Sequence, residues 1–257
     1  MAVPTGAASI RFCALIPVYN LAHTISQVVQ QTRRHLPRVL VIDDGSQDET
    51  AHLARTNGAE VLRIARNQGK GWALRCGFKH VLRGQWEGVV TLDGDLQHDP
   101  AEIPNLIAEY EDTDAQIVVG SRMAEAGKIP RLRYWTNKIG IYCISWAAGQ
   151  SLADSQSGFR LYSREVLESI PLWTVRYDTE TEILVKAGLQ GMKITSVPIK
   201  TIYHVNGNDG SSFRPVVDTF LICMVFLRSL FWRRGLYLRD YQINRRLGDS
   251  TTDIDVN

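Results

Sequence analysis

The chain has 257 residues, of which 44% are hydrophobic and 22% are charged, and its formal net charge is +2. These values are ordinary for a globular protein with one large domain or two small ones, and the low net charge argues against a general binder of nucleic acids. No apolar run reaches the roughly 18 residues that a transmembrane helix needs. The four cysteines form no C-x-x-C pair, which argues against a disulfide framework or a zinc site and favours a reducing compartment such as the cytoplasm.

Short apolar segments alternate with amphipathic ones along the first half of the chain. Strands are predicted over residues 12–18, 38–42, 60–64, 89–92 and 116–119. Helices are predicted between them, over residues 21–35, 49–57, 69–83 and 101–111. Because strands that alternate with helices form βαβ units, this order predicts an α/β fold with a mainly parallel sheet that is covered on both faces.

Polar clusters follow four of the predicted strands, at the points where those strands end. In an open parallel sheet, ligands bind at the carboxyl ends of the strands. These ends meet at one edge of the sheet, so the clusters are expected to lie close together and to form a site. The clusters are residues 17–20, 43–46, 93–95 and 120–122.

The fourth predicted strand ends abruptly in the sequence DGD at residues 93–95, with Gln97 and His98 just beyond it. Carboxylates at the end of a buried strand are costly unless they are paired or hold a metal ion. Since hard cations take oxygen ligands, the pattern is interpreted as a Mg²⁺ or Mn²⁺ site that holds a diphosphate. A solvated turn before a helix that starts at the DP of residues 99–100 would explain the same residues.

The second half of the chain is less regular. A mobile loop is predicted over residues 124–133 and a polar turn over residues 154–160. Further elements are predicted as helices over residues 134–148 and 178–188 and strands over residues 194–197 and 199–203. A loop over residues 204–212 closes this part, which makes residues 1–212 one α/β domain.

The C-terminal region carries a long apolar helical pattern over residues 213–234. It is interrupted by Asp218 and Arg228 and followed by Arg233 and Arg234. Because Trp and Arg favour the boundary of a bilayer, residues 213–240 are predicted to form an amphipathic helix region on a membrane surface. Packing on the domain or on a partner chain is the alternative, and residues 241–257 are predicted to be a disordered tail.

Seven motifs span about residues 12–214, and they read LIPVYN, VIDDGSQDET, NQGKGWALRCGF, TLDGDLQHDP, IVVGSRM, DSQSGFRLYS and VPIKTIYH. In this order they resemble the motifs of the family 2 glycosyltransferases, and among these the polyprenyl-phosphate hexosyltransferases such as the dolichyl-phosphate mannosyltransferases. The resemblance covers most of the chain. It implies that residues 1–212 form a catalytic domain with the GT-A fold, a nucleotide-binding α/β sandwich.

The resemblance also implies where a nucleotide-sugar donor, GDP-mannose or UDP-glucose, binds. The nucleotide pocket is expected to be lined by Pro17, Tyr19, Asn20, Asp44 and Lys70. Asp44 would contact the base or the ribose, and Lys70 lies in a glycine-rich loop whose backbone can approach a ligand closely.

The diphosphate of the donor is expected to be held with Mg²⁺ or Mn²⁺ by Asp93, Asp95 and Gln97. The metal ion would act as a Lewis acid on the leaving diphosphate. Asp93 and Asp95 are therefore expected to be catalytic residues.

The acceptor that the resemblance implies is a polyprenyl phosphate, which is already an anion and would attack the anomeric carbon in one inverting displacement. It needs cations and hydroxyl donors more than a general base. Arg122 and Arg131 are therefore expected to be catalytic residues that bind the acceptor phosphate. The expected acceptor-phosphate residues are Ser121, Arg122, Arg131, Arg133, Ser157, Arg160 and Arg214. A lipid acceptor implies a place at the cytoplasmic face of a membrane, with a membrane-protein partner as a further possibility.

Three alternatives remain open from the sequence. Transfer to a hydroxyl group of a sugar or protein would need a base, for which Asp154, Glu180 or Glu182 could serve. A sugar nucleotidyltransferase has a similar sheet but usually opens with a glycine-rich loop, where this chain has PVYN at residues 17–20. A non-enzymatic sensor of nucleotide sugars would not need the carboxylate pair at residues 93–95.

Overall fold

The centre of the fold is the sheet that the strand–helix alternation predicts. The structure, a computed structural model, describes residues 11–123, 131–174, 178–200, 226–227 and 254–255, with the backbone alone for 131–137 and 254–255. Within these residues the strands are β1 (Phe12–Val18), β2 (Val39–Asp43), β3 (Glu60–Ile64), β4 (Gly88–Thr91), β5 (Ile117–Ser121), β6 (Arg160–Ser163), β7 (Ile194–Pro198) and β8 (Ile254–Asp255).

Helices connect most of these strands, as predicted. They are α1 (Ile25–Arg33), α2 (Thr50–Thr56), α3 (Lys70–Val81), α4 (Ile103–Thr113), α5 (Arg131–Ala148), α6 (Arg164–Ser169) and α7 (Asp178–Leu189). A short 3₁₀ helix, Pro100–Glu102, precedes α4, and the Asp99 side chain caps it by accepting a hydrogen bond from the backbone N–H of Ala101.

The strand order is β7-β5-β6-β4-β1-β2-β3-β8. The sheet is mainly parallel, since only β6 and β8 run against the other strands. In the parallel part, Val18 lies opposite Asp43 and Leu15 opposite Thr91. This register brings the carboxyl ends of β1, β2 and β4, and the polar residues that follow them, to one edge of the sheet.

Each strand sends alternate side chains to opposite faces, and both faces are buried. Leu15 belongs to a cluster on the face that packs against α3, α5 and α7, whereas its neighbour Ile16 belongs to a cluster on the face that packs against α1, α2 and α4. Because successive side chains of β1 point to opposite faces and both faces are buried, every position of β1 is apolar. The prediction of an α/β sandwich with two covered faces is therefore confirmed.

The second half of the chain differs from the sequence predictions in three places. Helix α5 begins at Arg131, so the predicted loop is wrong for residues 131–133, while residues 124–130 lie outside the described part of the chain. Helix α6 was not predicted; Ser163 caps it by accepting a hydrogen bond from the backbone N–H of Val166. Pro198 is the last residue of β7, one residue beyond the predicted end, and of the second predicted strand only Ile199 and Lys200 are described, neither of them in a strand.

Most of the C-terminal region lies outside the described residues. Phe226 and Leu227 are helical, within the helix predicted over residues 213–234. Ile254 and Asp255 of the tail pair with β3 in antiparallel register. In the part of the chain that the structure describes, no helix is both long enough and apolar enough to cross a bilayer.

The packing of α5 against α7 gives a test of the fold. A Cβ atom at Gly188 in α7 would lie 2.2 Å from the backbone oxygen and 2.7 Å from the Cβ of Ala148 in α5. We predict that Gly188→Ala lowers the free energy of unfolding by roughly 1–3 kcal/mol because of overpacking, although alanine is the better helix former. Urea denaturation measures the change.

The matched control is Gly140→Ala in α5. There the added Cβ would meet the Gln156 Nε2 atom at an ordinary 3.7 Å, so the free energy of unfolding should stay constant or rise by up to about 1 kcal/mol. Equal effects at the two positions would contradict the close contact between α5 and α7.

Candidate functional site

The loops that follow β1 and β2 are hydrogen-bonded to each other at the carboxyl edge of the sheet. The Asn20 backbone N–H donates to the Ser46 Oγ at 2.9 Å, and the Asn20 side-chain oxygen accepts from the Gln47 N–H at 2.8 Å. Asn20 has a left-handed backbone with φ of 53°, which asparagine tolerates better than most residues. Pro17 is buried at the end of β1, and Tyr19 is exposed. Asn20 therefore ties the loop after β1, which carries the predicted nucleotide residues, to the loop after β2.

Asp44 holds the loop before α3. Its two carboxylate oxygens accept the backbone N–H groups of Gln68 at 2.9 Å and Gly69 at 2.7 Å. Burial raises the pKa of Asp44, and these two hydrogen bonds oppose the shift. Gly69 has a φ of 101°, which favours glycine. Asp44 thus determines where α3 begins and where its first residue, Lys70, projects.

Lys70 lies between two carboxylates from distant parts of the chain. Its Nζ atom is 2.5 Å from the Asp93 Oδ1 and 3.2 Å from the Glu180 Oε1, with only 15% of the lysine side chain exposed. The Glu180 Oε1 is buried and has no hydrogen bond of good geometry, so its contact with Lys70 is mainly an attraction between charges. These contacts join the end of β4 to the first turns of α3 and α7.

Lys70 and Asp93 each stabilise the ionised form of the other. Burial lowers the pKa of Lys70, but the negative charges of Asp93 and Glu180 outweigh it, so the pKa of Lys70 lies above its usual value. Burial raises the pKa of Asp93, yet Lys70 and other nearby positive charge bring it down to about 2. Asp93 and Lys70 are therefore both ionised at neutral pH.

Gly158 makes room for this cluster. A Cβ atom at residue 158 would lie 2.7 Å from the Lys70 Nζ, 2.8 Å from the Asp93 Oδ2 and 3.0 Å from the Glu180 Oε1. The Thr91 hydroxyl donates to the Gly158 carbonyl at 3.0 Å and so fixes this loop against β4. Only glycine allows the backbone to approach the three charged groups so closely.

Asp95 is the second carboxylate of the DGD turn. Its Oδ1 accepts the Gln97 backbone N–H at 3.0 Å, across Leu96, which has a left-handed φ of 66°. Burial, and then the charge of Asp93, raise the pKa of Asp95. A second negative charge is therefore costly here unless a cation neutralises it.

His98 supports the turn as a neutral side chain. It is buried, stacks on Phe159 with ring centroids 5.3 Å apart, and its Nδ1 accepts the Asp93 backbone N–H at 3.2 Å. Because Nδ1 is an acceptor, its 3.8 Å distance to the Asp93 Oδ2 does not represent an ion pair. Burial lowers the pKa of His98 to about 4, which agrees with a neutral ring.

The residues of this turn fit a divalent metal ion that binds together with a diphosphate. Asp93, Asp95 and Glu180 carry three carboxylates against the single ammonium group of Lys70, so the ionised cluster has an excess of two negative charges. No group of three or more His, Cys, Asp or Glu side chains forms a complete metal cage within the described residues. One or two carboxylates with substrate phosphates are the usual ligands of Mg²⁺ at such sites.

Arg122 and Asp154 form the other wall of the site. The Arg122 backbone N–H and Nε lie 3.3 Å and 3.4 Å from the Asp154 Oδ2. The Asp154 Oδ1 accepts the N–H groups of Gln156 and Ser157. Both oxygens of Asp154 are thus engaged in holding the turn and Arg122, which argues against Asp154 as a general base.

Two serines named as acceptor-phosphate residues are also engaged in local turns. The Ser121 Oγ accepts the Met123 N–H and the Ser157 Oγ accepts the Phe159 N–H, both at 3.3 Å. Both serines are buried. Each hydroxyl proton could still be donated to a ligand.

Arg160 lies in the core, against the prediction that it binds the acceptor phosphate. Its side chain is fully buried, and its guanidinium donates to the backbone oxygens of Ser157 at 2.6 Å, Glu180 at 2.7 Å and Ser155 at 2.9 Å. These carbonyl groups satisfy the buried charge, so Arg160 orders the loop beside Gly158 and does not face a ligand.

Glu182 is likewise a structural residue rather than the base considered from the sequence. It is fully buried, forms an ion pair with Lys186 one turn along α7, and accepts hydrogen bonds from the Thr174 N–H at 3.0 Å and the Thr174 hydroxyl at 2.7 Å. Of the remaining predicted residues, Arg131 and Arg133 have only their backbone described, and Arg214 lies outside the described residues.

Sequence reasoning did not pair Lys70 with Glu180, and it did not single out Gly158. Acidic residues near a helix N-terminus are stabilising in any case, so the acidic run at residues 178–182 gives little indication of a further role. No local signal marks Glu180, which stands in the polar run DTETE at residues 178–182; only the structure shows that α7 is buried along most of its length.

Known proteins resemble this chain over most of its length. The model of the family described as "Glycosyl transferase family 2" matches residues 13–170. The chain is 31% identical over 213 residues to the UDP-N-acetylglucosamine–dolichyl-phosphate N-acetylglucosaminyltransferase of Methanococcus voltae, over 74% of this chain and 84% of the relative. It is 30% identical over 207 residues to the undecaprenyl-phosphate mannosyltransferase of Micrococcus luteus, over 74% of this chain and 82% of the relative.

Solved structures show the same fold. Glucosyl-3-phosphoglycerate synthase from Mycobacterium tuberculosis, in complex with Mn²⁺, uridine diphosphate and phosphoglyceric acid, matches 89% of this chain and 80% of its own with a TM-score of 0.67 and 20% identity. The predicted GT-A-like fold is therefore confirmed. Together with the family match over more than half of the sequence, this shows that the chain is a glycosyltransferase and belongs to glycosyl transferase family 2.

Proposed function

We propose that the protein transfers a hexose from a nucleotide sugar to a polyprenyl phosphate, with Mg²⁺ or Mn²⁺ bound at the DGD turn. The observation that carries the proposal is the cluster of Lys70, Asp93 and Asp95 at the carboxyl edge of the sheet, whose excess negative charge suits a divalent ion and a diphosphate. The lipid acceptor is supported by relatives at about 30% identity, whose names specify polyprenyl-phosphate acceptors. GDP-mannose and UDP-glucose are the donors to test.

The donor would lie along the loops after β1 and β2. Pro17, Tyr19 and Asn20 would line the nucleoside pocket, and Asp44 would face the base or ribose while it holds the loop of Lys70. The rigid contact between the two loops would reduce the entropy lost when the nucleoside is ordered.

The diphosphate would lie against Asp93, Asp95 and Gln97, which would hold the metal ion. The bound ion would supply Lewis-acid stabilisation of the leaving diphosphate. Lys70 would keep Asp93 ionised and oriented, because its ammonium group also attracts Glu180 and cannot easily leave the cluster.

The acceptor phosphate would act as its own nucleophile. One of its oxygens would form a bond to the anomeric carbon while the bond from that carbon to the donor diphosphate breaks, with inversion. Arg122 would bind the acceptor together with Ser121, Ser157, Arg131, Arg133 and Arg214. Asp154 and Glu182 are engaged elsewhere, and Glu180 is buried beside the ammonium group of Lys70. The site therefore favours this mechanism over transfer to a hydroxyl group, and the family match argues against a sugar nucleotidyltransferase.

A lipid acceptor requires contact with a membrane. We propose that the protein acts at the cytoplasmic face, with the helical region of residues 213–240 on the membrane surface. A membrane-protein partner is compatible with this arrangement.

The proposal is tested with the purified full chain, labelled GDP-mannose or UDP-glucose, and a polyprenyl phosphate. We predict that label enters the organic phase with one of the donors, that EDTA abolishes the transfer, and that Mn²⁺ or Mg²⁺ restores it. Release of nucleotide without labelled lipid would overturn the lipid acceptor.

Asp95→Asn tests the metal site. We predict a loss of transfer on the order of 100-fold or more, because the variant lacks a charge that binds the metal ion. The amide oxygen that this variant carries at position 95 can still accept the Gln97 N–H, so the thermal midpoint should be retained. Mn²⁺ binding, followed by electron paramagnetic resonance, should weaken in parallel.

Asp99→Asn is the control for that variant, since asparagine also caps the short helix at residues 100–102. It should retain both Mn²⁺ binding and transfer. Full activity of Asp95→Asn would contradict the role given to Asp95.

Lys70→Met tests the charge cluster. The pKa of Asp93 is depressed to about 2, so in the wild type its contribution to stability is present above the ordinary carboxyl pKa of about 3.9 and is lost as the pH falls toward 2. Without Lys70, Asp93 loses the positive charge that holds its pKa down while Glu180 and Asp95 stay close, so the pKa of Asp93 should rise. Relative to the wild type, the variant should therefore gain stability as the pH is lowered from about 7 to about 5.

Urea denaturation at both pH values measures this difference, and transfer activity should fall at least about tenfold. Lys79→Met, at an exposed position of the same helix, should behave as the wild type in both measurements. The same pH dependence in Lys70→Met and Lys79→Met would rule out the cluster as described.

A further inference from the structure

Lys70 has two carboxylate partners, and its contacts with them are unequal. Its Nζ atom lies 2.5 Å from the Asp93 Oδ1 and 3.2 Å from the Glu180 Oε1. The Glu180 side chain is only 7% exposed, and within the described residues its Oε1 has no hydrogen bond of good geometry. A buried carboxylate oxygen without such a bond is costly. Glu180 is therefore in a position to accept the ammonium group more closely.

The ammonium group is the part of the cluster that can move. The Glu180 backbone oxygen accepts a hydrogen bond from the Arg160 Nη1 at 2.7 Å, which fixes the first turn of α7. The Asp93 backbone N–H donates to the buried His98 side chain at 3.2 Å, which fixes the DGD turn. Lys70, by contrast, carries its charge on a flexible stem of four carbon atoms.

The metal ion of the proposed function needs the same carboxylate as Lys70. It would be held by Asp93, Asp95 and Gln97, whereas the Lys70 ammonium group contacts the Asp93 Oδ1 in the structure. Two cations at one carboxylate repel each other, and the repulsion is strong where solvent is scarce. The two oxygens of a carboxylate are adjacent, so the ammonium group would be repelled by an ion at either oxygen of Asp93.

We propose that Lys70 exchanges partners when the metal ion binds, so that its ammonium group leaves Asp93 and pairs with Glu180. The inference rests on the proposed function, because it takes the DGD turn as the metal site. A charge-assisted hydrogen bond is about 2.7–2.9 Å long, so a shift of roughly half an ångström would form one between Nζ and the Glu180 Oε1. Glu180 is then a positioning residue, which lowers the cost of releasing Asp93 to the ion.

This role of Glu180 differs from a general attraction between its charge and the metal ion. General attraction depends on the charge alone, whereas the exchange depends on whether the carboxylate reaches Nζ. Glu180→Asp separates the two effects, because it keeps the charge and shortens the side chain by one methylene group. Lys70→Met removes the ammonium group, so the effect of position 180 can be measured with and without the group that it would receive.

The test measures Mn²⁺ binding to the full chain by electron paramagnetic resonance. GDP or UDP is present, because phosphate oxygens usually complete a site of this kind. We expect Glu180→Asp to weaken Mn²⁺ binding by about tenfold in the wild-type background, since the ammonium group then stays on Asp93. In the Lys70→Met background the same change should alter Mn²⁺ binding by less than about twofold.

Asp178→Asn is the matched control for charge. It removes one negative charge from the first turn of α7, where Glu180 also lies. The two positions are about 200° apart around the helix axis, so Asp178 and Glu180 face different sides. Mn²⁺ binding of this control should stay within about twofold of the wild type, because charge pairs this far apart interact weakly. The thermal midpoint of each variant shows whether it is folded.

A second measurement follows the ammonium group itself. In protein labelled with ¹⁵N-lysine, the nuclear magnetic resonance signal of the Lys70 Nζ is identified by its absence from Lys70→Met. Adding Mg²⁺ to the nucleotide-saturated wild type should shift this signal, and the shift should be smaller in Glu180→Asp. The signal of Lys186 should not move, since its ammonium group contacts Glu182 and the Pro171 carbonyl.

Equal effects of Glu180→Asp in the two backgrounds, including no effect in either, would overturn the exchange. An unchanged Lys70 signal on addition of Mg²⁺ would overturn it as well. Failure of the proposed function is distinct from these outcomes. A wild type that binds Mn²⁺ with neither nucleotide would overturn the metal site and the exchange together, whereas a wrong acceptor would leave these measurements unchanged, because they contain no acceptor.

Discussion

The arrangement of the site depends on one ammonium group between two carboxylates. Lys70, at the first turn of α3, contacts Asp93 from the end of β4 and Glu180 from the first turn of α7. These charges can lie together in a poorly solvated place only because they neutralise one another in part. The close approach also requires that residue 158 has no side chain. Four segments that are distant in sequence are thereby held at one point, and that point lies at the carboxyl edge of the sheet.

A buried charge must have a partner. This requirement distinguishes residues that only stabilise the fold from those proposed to bind a ligand. Arg160 and Glu182 are fully buried with their hydrogen bonds satisfied inside the protein, and nothing remains for a ligand to complete. Asp95 is different, because burial and Asp93 raise its pKa and no cationic side chain among the described residues pairs with it. A divalent cation would neutralise the negative charge of Asp95, and the diphosphate would complete the coordination of that cation. Under the proposed function, the site would therefore bind the metal ion and the donor together.

The proposed donor and acceptor sites lie on different loops at one edge of the sheet. The loops after β1 and β2 are tied together by Asn20 and Ser46, and under the proposed function they would hold the donor. Arg122 follows β5 and contacts Asp154, so the acceptor phosphate would approach from that flank.

The sequence by itself determined the local structure and the type of chemistry. Apolar runs at βαβ spacing predict the strands and helices, the DGD turn predicts a cation site, and the order of the motifs predicts the family. Only the tertiary structure decided which charged residues act together. Both Arg160 and Arg122 are expected phosphate ligands from the sequence, with more weight on Arg122, and the structure separates them: Arg160 is enclosed by backbone carbonyls, whereas Arg122 stands beside Asp154 at the edge of the site. Glu180 likewise belongs with Lys70 because α3 and α7 lie side by side, and contacts between residues about a hundred positions apart depend on packing, which no local pattern encodes.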